Sequence, residues 1–147
     1  MMNDLYNQRI LQLAADIPHI GHLDAPAAKA DAVSRLCGSK VHVELSLGAD
    51  GRVGEFAQIV EACALGQASS SVMAREIIGS TPQELRDLAA AMRAMLKQAA
   101  PPPHKAGLDA RWKDLQVLEP VRDYPNRHAS TLLTFDAVED CLTQLGV

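Results

Sequence analysis

The chain has 147 residues, of which 48% are hydrophobic, and this fits a single globular domain over residues 1–147 with a buried core. Its 14 basic and 18 acidic residues give a formal net charge of -4, and no basic tract indicates a nucleic-acid surface. Polar residues interrupt the apolar positions of residues 1–17, which argues against a signal peptide or a membrane span. We therefore expect a cytoplasmic protein that binds neither nucleic acid nor membranes.

The first half of the chain predicts one short helix followed by a small sheet. Apolar residues at helical spacing favour an amphipathic helix from Asp4 to Ala15, which ends before Pro18. Residues 41–47 alternate apolar and polar side chains, the pattern of a half-buried strand. A turn at 48–51 and a second extended run over 52–60, with Gly54 as a candidate bulge, complete an antiparallel hairpin. Residues 32–36 are a candidate third strand.

The second half predicts helices. One begins near Cys63 or Ala68 and ends near Gly79, with Ile77 and Ile78 on its apolar side. The next begins at Thr81, where the sequence TPQE favours a capping box, and runs for roughly four turns. Its predicted core stripe comprises Leu85, Leu88, Ala89, Met92, Met95 and Leu96.

A proline-rich connection over residues 99–107 follows, and then a short segment that contains Trp112, Leu115 and Leu118. A last helix is expected from about Ala129 to Leu145. The expected fold class is therefore α+β, with a small antiparallel sheet of about three strands covered by four to five helices.

Two of the three cysteines lie at junctions between predicted elements. Cys37 lies in the sequence LCGS at 36–39 before the first strand of the hairpin, and Cys63 opens the run CALGQASSS at 63–71. They are 26 positions apart, so they meet only if the hairpin folds back. In a reducing cytosol these cysteines are better interpreted as thiols or metal ligands than as a disulfide framework, although isolated cysteines are more often simply buried. Cys141 lies on the apolar face of the last helix and is expected to pack in the core.

The histidines add one candidate ligand. His42 alternates with apolar strand residues and is expected to face solvent, and His19, His22 and His104 lie in loop-like segments as surface residues. His128 stands beside the start of the last helix, where a further ligand would be needed, and is the candidate third metal ligand.

The hairpin, the helix starts and the two cysteine motifs resemble the scaffold domain of the NifU, IscU and SufU proteins of iron-sulfur cluster assembly, from about Leu5 to Leu142. The insert before the last helix, with Tyr124 and Pro125, looks more like the SufU branch. The resemblance implies a scaffold that holds zinc or a nascent iron-sulfur cluster on one Asp and three Cys, and that receives sulfur from a cysteine desulfurase.

Residue by residue, Cys37 and Cys63 take the places of the first two ligand cysteines. Ser39 occupies the aspartate position and Ala129 occupies the third cysteine position. A neutral serine is a poor ligand and alanine is none, so the implied ligand set is incomplete unless His128 or a partner completes it.

The sequence is compatible with three functions. The leading hypothesis is a scaffold homologue, not an enzyme, that accepts sulfur or holds a labile cluster through Cys37 and Cys63 while docked to a desulfurase and other assembly proteins. The second is a degenerate adaptor or regulator of the same machinery without metal binding. The third is a thiol enzyme with Cys63 as nucleophile and His128 as base, for which the sequence offers no oxyanion motif or orienting acid.

Overall fold

A computed structural model describes residues 6–147. The first helix, α1, spans Gln8–Ala15 and begins later than predicted because Asn7 caps it: the Asn7 side chain accepts a hydrogen bond of 2.9 Å from the Ile10 amide. Asp4 and Leu5, which the prediction included in this helix, lie outside the described residues.

Three antiparallel strands form one sheet in the order β1-β2-β3, and they span Ala28–Ser34, Ser39–Leu47 and Val53–Glu61. The predicted hairpin is β2 and β3. Gly54 is the extra residue of a bulge, since Ser46 pairs with Glu55 while Leu47 pairs with Val53. The third strand, β1, begins at Ala28 rather than at residue 32, and it ends before Leu36.

Three further α-helices follow: α2 over Ala64–Glu76, α3 over Pro82–Lys97 and α4 over His128–Leu145. Thr81 caps α3 as predicted by accepting a 3.1 Å hydrogen bond from the Glu84 amide. The Glu84 carboxylate does not turn back to complete a capping box, because it pairs with Arg111 instead. The prediction for Ile78 was wrong: the chain has left the helix at that point, and the side chain is 44% exposed.

Segments of 3-10 helix connect α3 to α4 at Pro103–Lys105, Ala110–Asp123 and Pro125–Arg127. The middle one carries Trp112, Leu115 and Leu118 into the core. Because Pro120 has no amide hydrogen, this segment cannot form an uninterrupted helical hydrogen-bond ladder.

The helices cover one face of the sheet, called here the inner face. Helix α4 packs on β1 and β2, α2 packs on β3 and α4, and α1 and α3 flank this pair. The odd-numbered residues Val41, Val43 and Leu45 of β2 point into the resulting core and are fully buried. All six residues of the predicted α3 stripe are buried as well.

The opposite, outer face of the sheet is crossed by residues 19–27. This segment first follows the free edge of β3, where the Gly21 amide donates to the Gln58 carbonyl at 2.9 Å. It then passes over β2, where the Leu23 amide donates to the Glu44 carboxylate at 2.9 Å. His42 and Glu44 of β2 therefore lie under this segment and not in open solvent, whereas Lys40 near the start of the strand is exposed.

The predicted fold class is confirmed: the protein is α+β, with a three-stranded antiparallel sheet and four α-helices supplemented by 3-10 turns. Among residues 6–147, no helix combines the length and apolar character that crossing a membrane requires.

Candidate functional site

Cys37 stands in the tight turn that joins β1 to β2. Gly38 has a φ of 71°, which a glycine adopts without strain, and its amide donates to the Ser34 carbonyl at 2.8 Å. The Cys37 thiol is exposed and lies 3.0 Å from the Ser39 hydroxyl and 3.5 Å from the Ser34 hydroxyl. The turn thus presents an accessible sulfur atom surrounded by hydroxyl groups.

These hydroxyls stabilise the ionised form of the Cys37 thiol. The hydrogen bond with Ser39 is the largest influence and that with Ser34 is the next; they lower the pKa of Cys37 from 9.0 to about 7 although burial opposes them. Near neutral pH about half of the thiol is therefore thiolate, the form that attacks sulfur and binds metals.

Cys63 takes the N-cap position of α2, as the sequence predicted. Its thiol donates to the Ser130 hydroxyl over 3.6 Å, and its amide donates to the Ser39 hydroxyl at 3.4 Å. The Ser39 hydroxyl therefore touches both cysteine residues, and Ser130 approaches from the first turn of α4. The folded hairpin brings Cys37 and Cys63 to one site, at the end of the sheet where β1, β2, α2 and α4 meet.

The two other expected ligand positions border the same place. Ser39 is buried with its hydroxyl between the cysteines, and Ala129 is exposed in the first turn of α4. The potential metal ligands that hydrogen bonds bring together here are two thiols and the neutral hydroxyls of Ser34, Ser39 and Ser130. Two thiolates are half of the four donors that a closed tetrahedral site needs.

His128 is buried and its ring is engaged elsewhere. Its Nε2 hydrogen-bonds with the carbonyls of Val121 and Arg122 at 3.0 and 3.2 Å, so this nitrogen is the donor and Nδ1 is the free position. Within residues 6–147, the thiols of Cys37 and Cys63 and the ring of His128 do not form a group with all ligand atoms within 4.8 Å. The ligand role of His128 stays a prediction.

Cys141 packs in the core, as predicted. It is fully buried in α4, and burial raises the pKa of its thiol to about 12. At neutral pH it is therefore a small apolar side chain.

A second cluster of polar side chains lies on the outer face of the sheet. The Glu44 carboxylate is buried, and its Oε2 hydrogen-bonds with His22 Nδ1 at 2.6 Å and His42 Nε2 at 2.7 Å. The Nδ1 atom of His42 hydrogen-bonds with Asp31 at 2.8 Å. The expectation that His42 faces solvent was wrong, since its side chain is 19% exposed beneath the 19–27 segment.

Hydrogen bonds within this cluster shift the pKa values of Glu44 and His42. Burial opposes ionisation of Glu44, but hydrogen bonds from His22, His42 and the Leu23 amide outweigh it and lower the pKa of Glu44 from 4.5 to about 2. Burial likewise opposes the charged form of His42, but Glu44 and Asp31 outweigh it and raise the pKa of His42 above 6.5. The spacing His-x-Glu on one strand is the sequence signal that both side chains share a face.

The fold and the paired thiols define a class of protein: small α+β scaffolds with cysteines at the end of a three-stranded sheet. Residues 5–131 match the family described as NifU-like N terminal domain, and the chain belongs to that family. The predicted resemblance to the NifU, IscU and SufU scaffold domain of iron-sulfur cluster assembly is therefore confirmed, while its assignment to the SufU branch stays a prediction.

Solved structures agree with this family. The N-terminal NifU-like protein of Brucella abortus is 53% identical, with a TM-score of 0.92 over 99% of this chain and 96% of that one. A protein of Fervidobacterium islandicum, provisionally described as an iron-sulfur cluster assembly scaffold for the SUF system, is 21% identical. Its TM-score is 0.80 over 94% of this chain and 96% of that one, which shows the shared fold. No curated protein matches the chain.

Proposed function

We propose that this member of the scaffold family accepts sulfur, and carries a labile iron-sulfur cluster or zinc as cargo, through Cys37 and Cys63. The observation that carries the proposal is the shared Ser39 hydroxyl, which lies 3.0 Å from the Cys37 thiol and 3.4 Å from the Cys63 amide. Two sulfur atoms held at one accessible edge match the demands of sulfur transfer and of soft-metal binding.

Sulfur transfer from a cysteine desulfurase needs a nucleophilic thiolate. The Cys37 thiolate attacks the terminal sulfur of a persulfide on the desulfurase, so that a new Sγ–S bond forms while the S–S bond of the donor breaks. The donor cysteine leaves as a thiolate and Cys37 becomes the persulfide, with no net oxidation or reduction. Because the pKa of Cys37 is about 7, the reactive form is abundant at neutral pH.

The ligand count favours a transient cargo over a permanent one. Two thiolates leave two positions of a tetrahedral metal open, and neither Ser39 nor Ala129 fills them with a strong donor. We propose that a partner in cluster assembly, the desulfurase or a recipient, completes the coordination when it docks. The role is that of a carrier and not of an enzyme, and a cytoplasmic location fits thiols that must stay reduced.

The test combines sulfur uptake with metal analysis. Protein prepared anaerobically is incubated with a cysteine desulfurase and cysteine, and the persulfide is located by mass spectrometry. We expect it on Cys37, and we expect Cys37→Ser to abolish it while Cys141→Ala, which changes a buried thiol, leaves it in place. Anaerobic reconstitution should give cluster absorbance that Cys37→Ser and Cys63→Ser each remove.

An opposite result would favour the adaptor hypothesis. If the protein gains no persulfide, shows no cluster absorbance and contains neither zinc nor iron, the cysteines carry no cargo. Partner binding should then be unchanged when both Cys37 and Cys63 are replaced by serine.

A further inference from the structure

The outer face of the sheet carries a group of potential ligands that the cysteine site does not use. His22, His42 and Glu44 each offer one ligand atom, and these three atoms all lie within 4.8 Å of one another. Within residues 6–147, no other three His, Cys, Asp or Glu side chains bring their ligand atoms together this closely. Two imidazoles and one carboxylate are a donor set that divalent zinc and iron bind in proteins.

From this geometry we propose a second metal site, in which His22, His42 and Glu44 bind a divalent first-row transition ion such as zinc or ferrous iron. The imidazole nitrogens lie 2.6 and 2.7 Å from the same oxygen, Oε2 of Glu44. In a tetrahedral site with metal-ligand bonds of about 2.0–2.2 Å, neighbouring ligand atoms lie about 3.3 Å apart. Each of the three ligand atoms would therefore move by less than ~1 Å to bind an ion.

The surroundings orient these side chains for binding. Asp31 accepts a 2.8 Å hydrogen bond from Nδ1 of His42, which leaves Nε2 of that ring directed at Glu44. The Leu23 amide donates to the other oxygen, Oε1 of Glu44, at 2.9 Å, and this contact leaves Oε2 facing the two imidazoles. A carboxylate behind a ligating histidine is the usual outer partner in zinc sites and fixes which ring nitrogen is available.

The site has room for further ligands. A cavity of about 250 Å³ opens beside the histidines and is also lined by Asp31, Lys40, Ile59 and Glu61. Three protein ligands with space for water or an exogenous donor describe an open metal site rather than a closed structural one. The exposed ring of His22, at 66%, gives the ion a route from solvent.

This site is separate from the cysteine site. Ser39 and His42 lie three residues apart on β2, about 10 Å along the strand, and their side chains point to opposite faces. Binding at His22, His42 and Glu44 therefore does not depend on the function proposed for the cysteines.

The test uses full-length protein in which Cys37 and Cys63 are both replaced by serine. Calorimetric titration with zinc should show one bound ion. Titration with cobalt, monitored by absorption spectroscopy, should show the same stoichiometry and no charge-transfer band from thiolate to cobalt. Adding His22→Gln, which changes an exposed loop side chain, should abolish that binding. Adding Asp31→Asn should weaken it by about 10–100-fold, the effect typical of a lost outer partner.

His19→Asn is the matched control, because it removes an imidazole from the same loop at a φ of 61° that asparagine tolerates, and it should leave the affinity unchanged. The proposal is overturned if the cysteine-free protein binds neither ion, or if His22→Gln binds as tightly as its parent. Binding of zinc should also shift the NMR signals of the ring nitrogens of His22 and His42.

Discussion

At the scale of single residues, Ser39 sets the chemistry of the thiol beside it. An aspartate at this position, as the family resemblance implies, would add a ligand, but its negative charge would disfavour a neighbouring thiolate. The serine hydroxyl instead lies 3.0 Å from the Cys37 sulfur and lowers the pKa of that thiol. The serine therefore favours the thiolate of Cys37, whereas an aspartate would disfavour it.

This exchange predicts how alkylation of Cys37 depends on pH. In metal-free protein, the rate of reaction with iodoacetamide at Cys37, followed by peptide mass spectrometry, should rise through a midpoint at about 7. Ser39→Ala should move the midpoint upward because it removes the largest influence that lowers the pKa. Cys63→Ser is the control and should leave the midpoint in place. A midpoint near the ordinary value of 9.0 in the parent protein would contradict the assignment.

Local sequence placed Cys37 and Cys63 at junctions between elements, but it did not predict that the side chains on the outer face are buried. Cys37 and Cys63 each stand where a strand or helix begins, and such junctions leave a signal in the sequence. His42 and Glu44 carry the alternation of a half-buried strand, which by itself places polar side chains in solvent. Their burial comes from the 19–27 segment, whose path over the sheet is a tertiary contact that periodicity does not encode.

At the scale of elements, the packing of α2 against α4 positions the thiol of Cys63. The contact is close at Gly66, where an added Cβ would lie 3.0 Å from the Ser130 carbonyl and 2.8 Å from the Ala62 Cβ. The hydroxyl of Ser130 is in turn the partner of the Cys63 thiol. A glycine in the first turn of α2 thus lets α4 approach the site.

Gly66→Ala should destabilise the protein even though alanine is the better helix former. Helix propensity favours alanine by about 1 kcal/mol, whereas overpacking against a backbone carbonyl costs about 1–3 kcal/mol. We expect a net loss of about 1 kcal/mol in the free energy of unfolding, measured in urea. Gln67→Ala on the same helix should stay within about 0.5 kcal/mol of the parent. If Gly66→Ala is more stable than the parent, then α4 moves to accommodate the added methyl group without a loss of stability, and the expected overpacking is wrong.

Among the elements, the helix boundaries were predictable where a cap or an apolar stripe marks them, as at Thr81 and along α3. Strand β1 was recognised only in its second half. Its first residues, Ala28 to Asp31, alternate buried and exposed positions, but alanine carries little β propensity and leaves the alternation weak in the sequence.

At the scale of the whole molecule, one carboxylate links three parts of the chain. Asp114, in the Ala110–Asp123 segment, pairs with Arg9 of α1 at 2.7 Å and with Arg75 of α2 at 2.9 Å. Burial opposes its ionisation, but both guanidinium groups outweigh burial and lower the pKa of Asp114 below 3.8. A carboxyl whose pKa is lowered by folding contributes stability above its ordinary pKa, and that contribution is lost as the pH falls through the folded value.

Asp114→Asn should therefore destabilise the protein at neutral pH and have little effect in acid. Both arginines are more than a third exposed, at 45% and 36%, and solvent screening limits the expected loss to about 1 kcal/mol at about pH 7. Urea unfolding of parent and variant over a range of pH should show the difference shrinking as the pH falls below 3.8. Added salt should reduce the difference as well.

Asp87→Asn, at an exposed carboxylate of α3, is the control and should stay within about 0.5 kcal/mol of the parent. A difference that is the same in acid as at neutral pH would mean that Asp114 acts through packing and not through its charge.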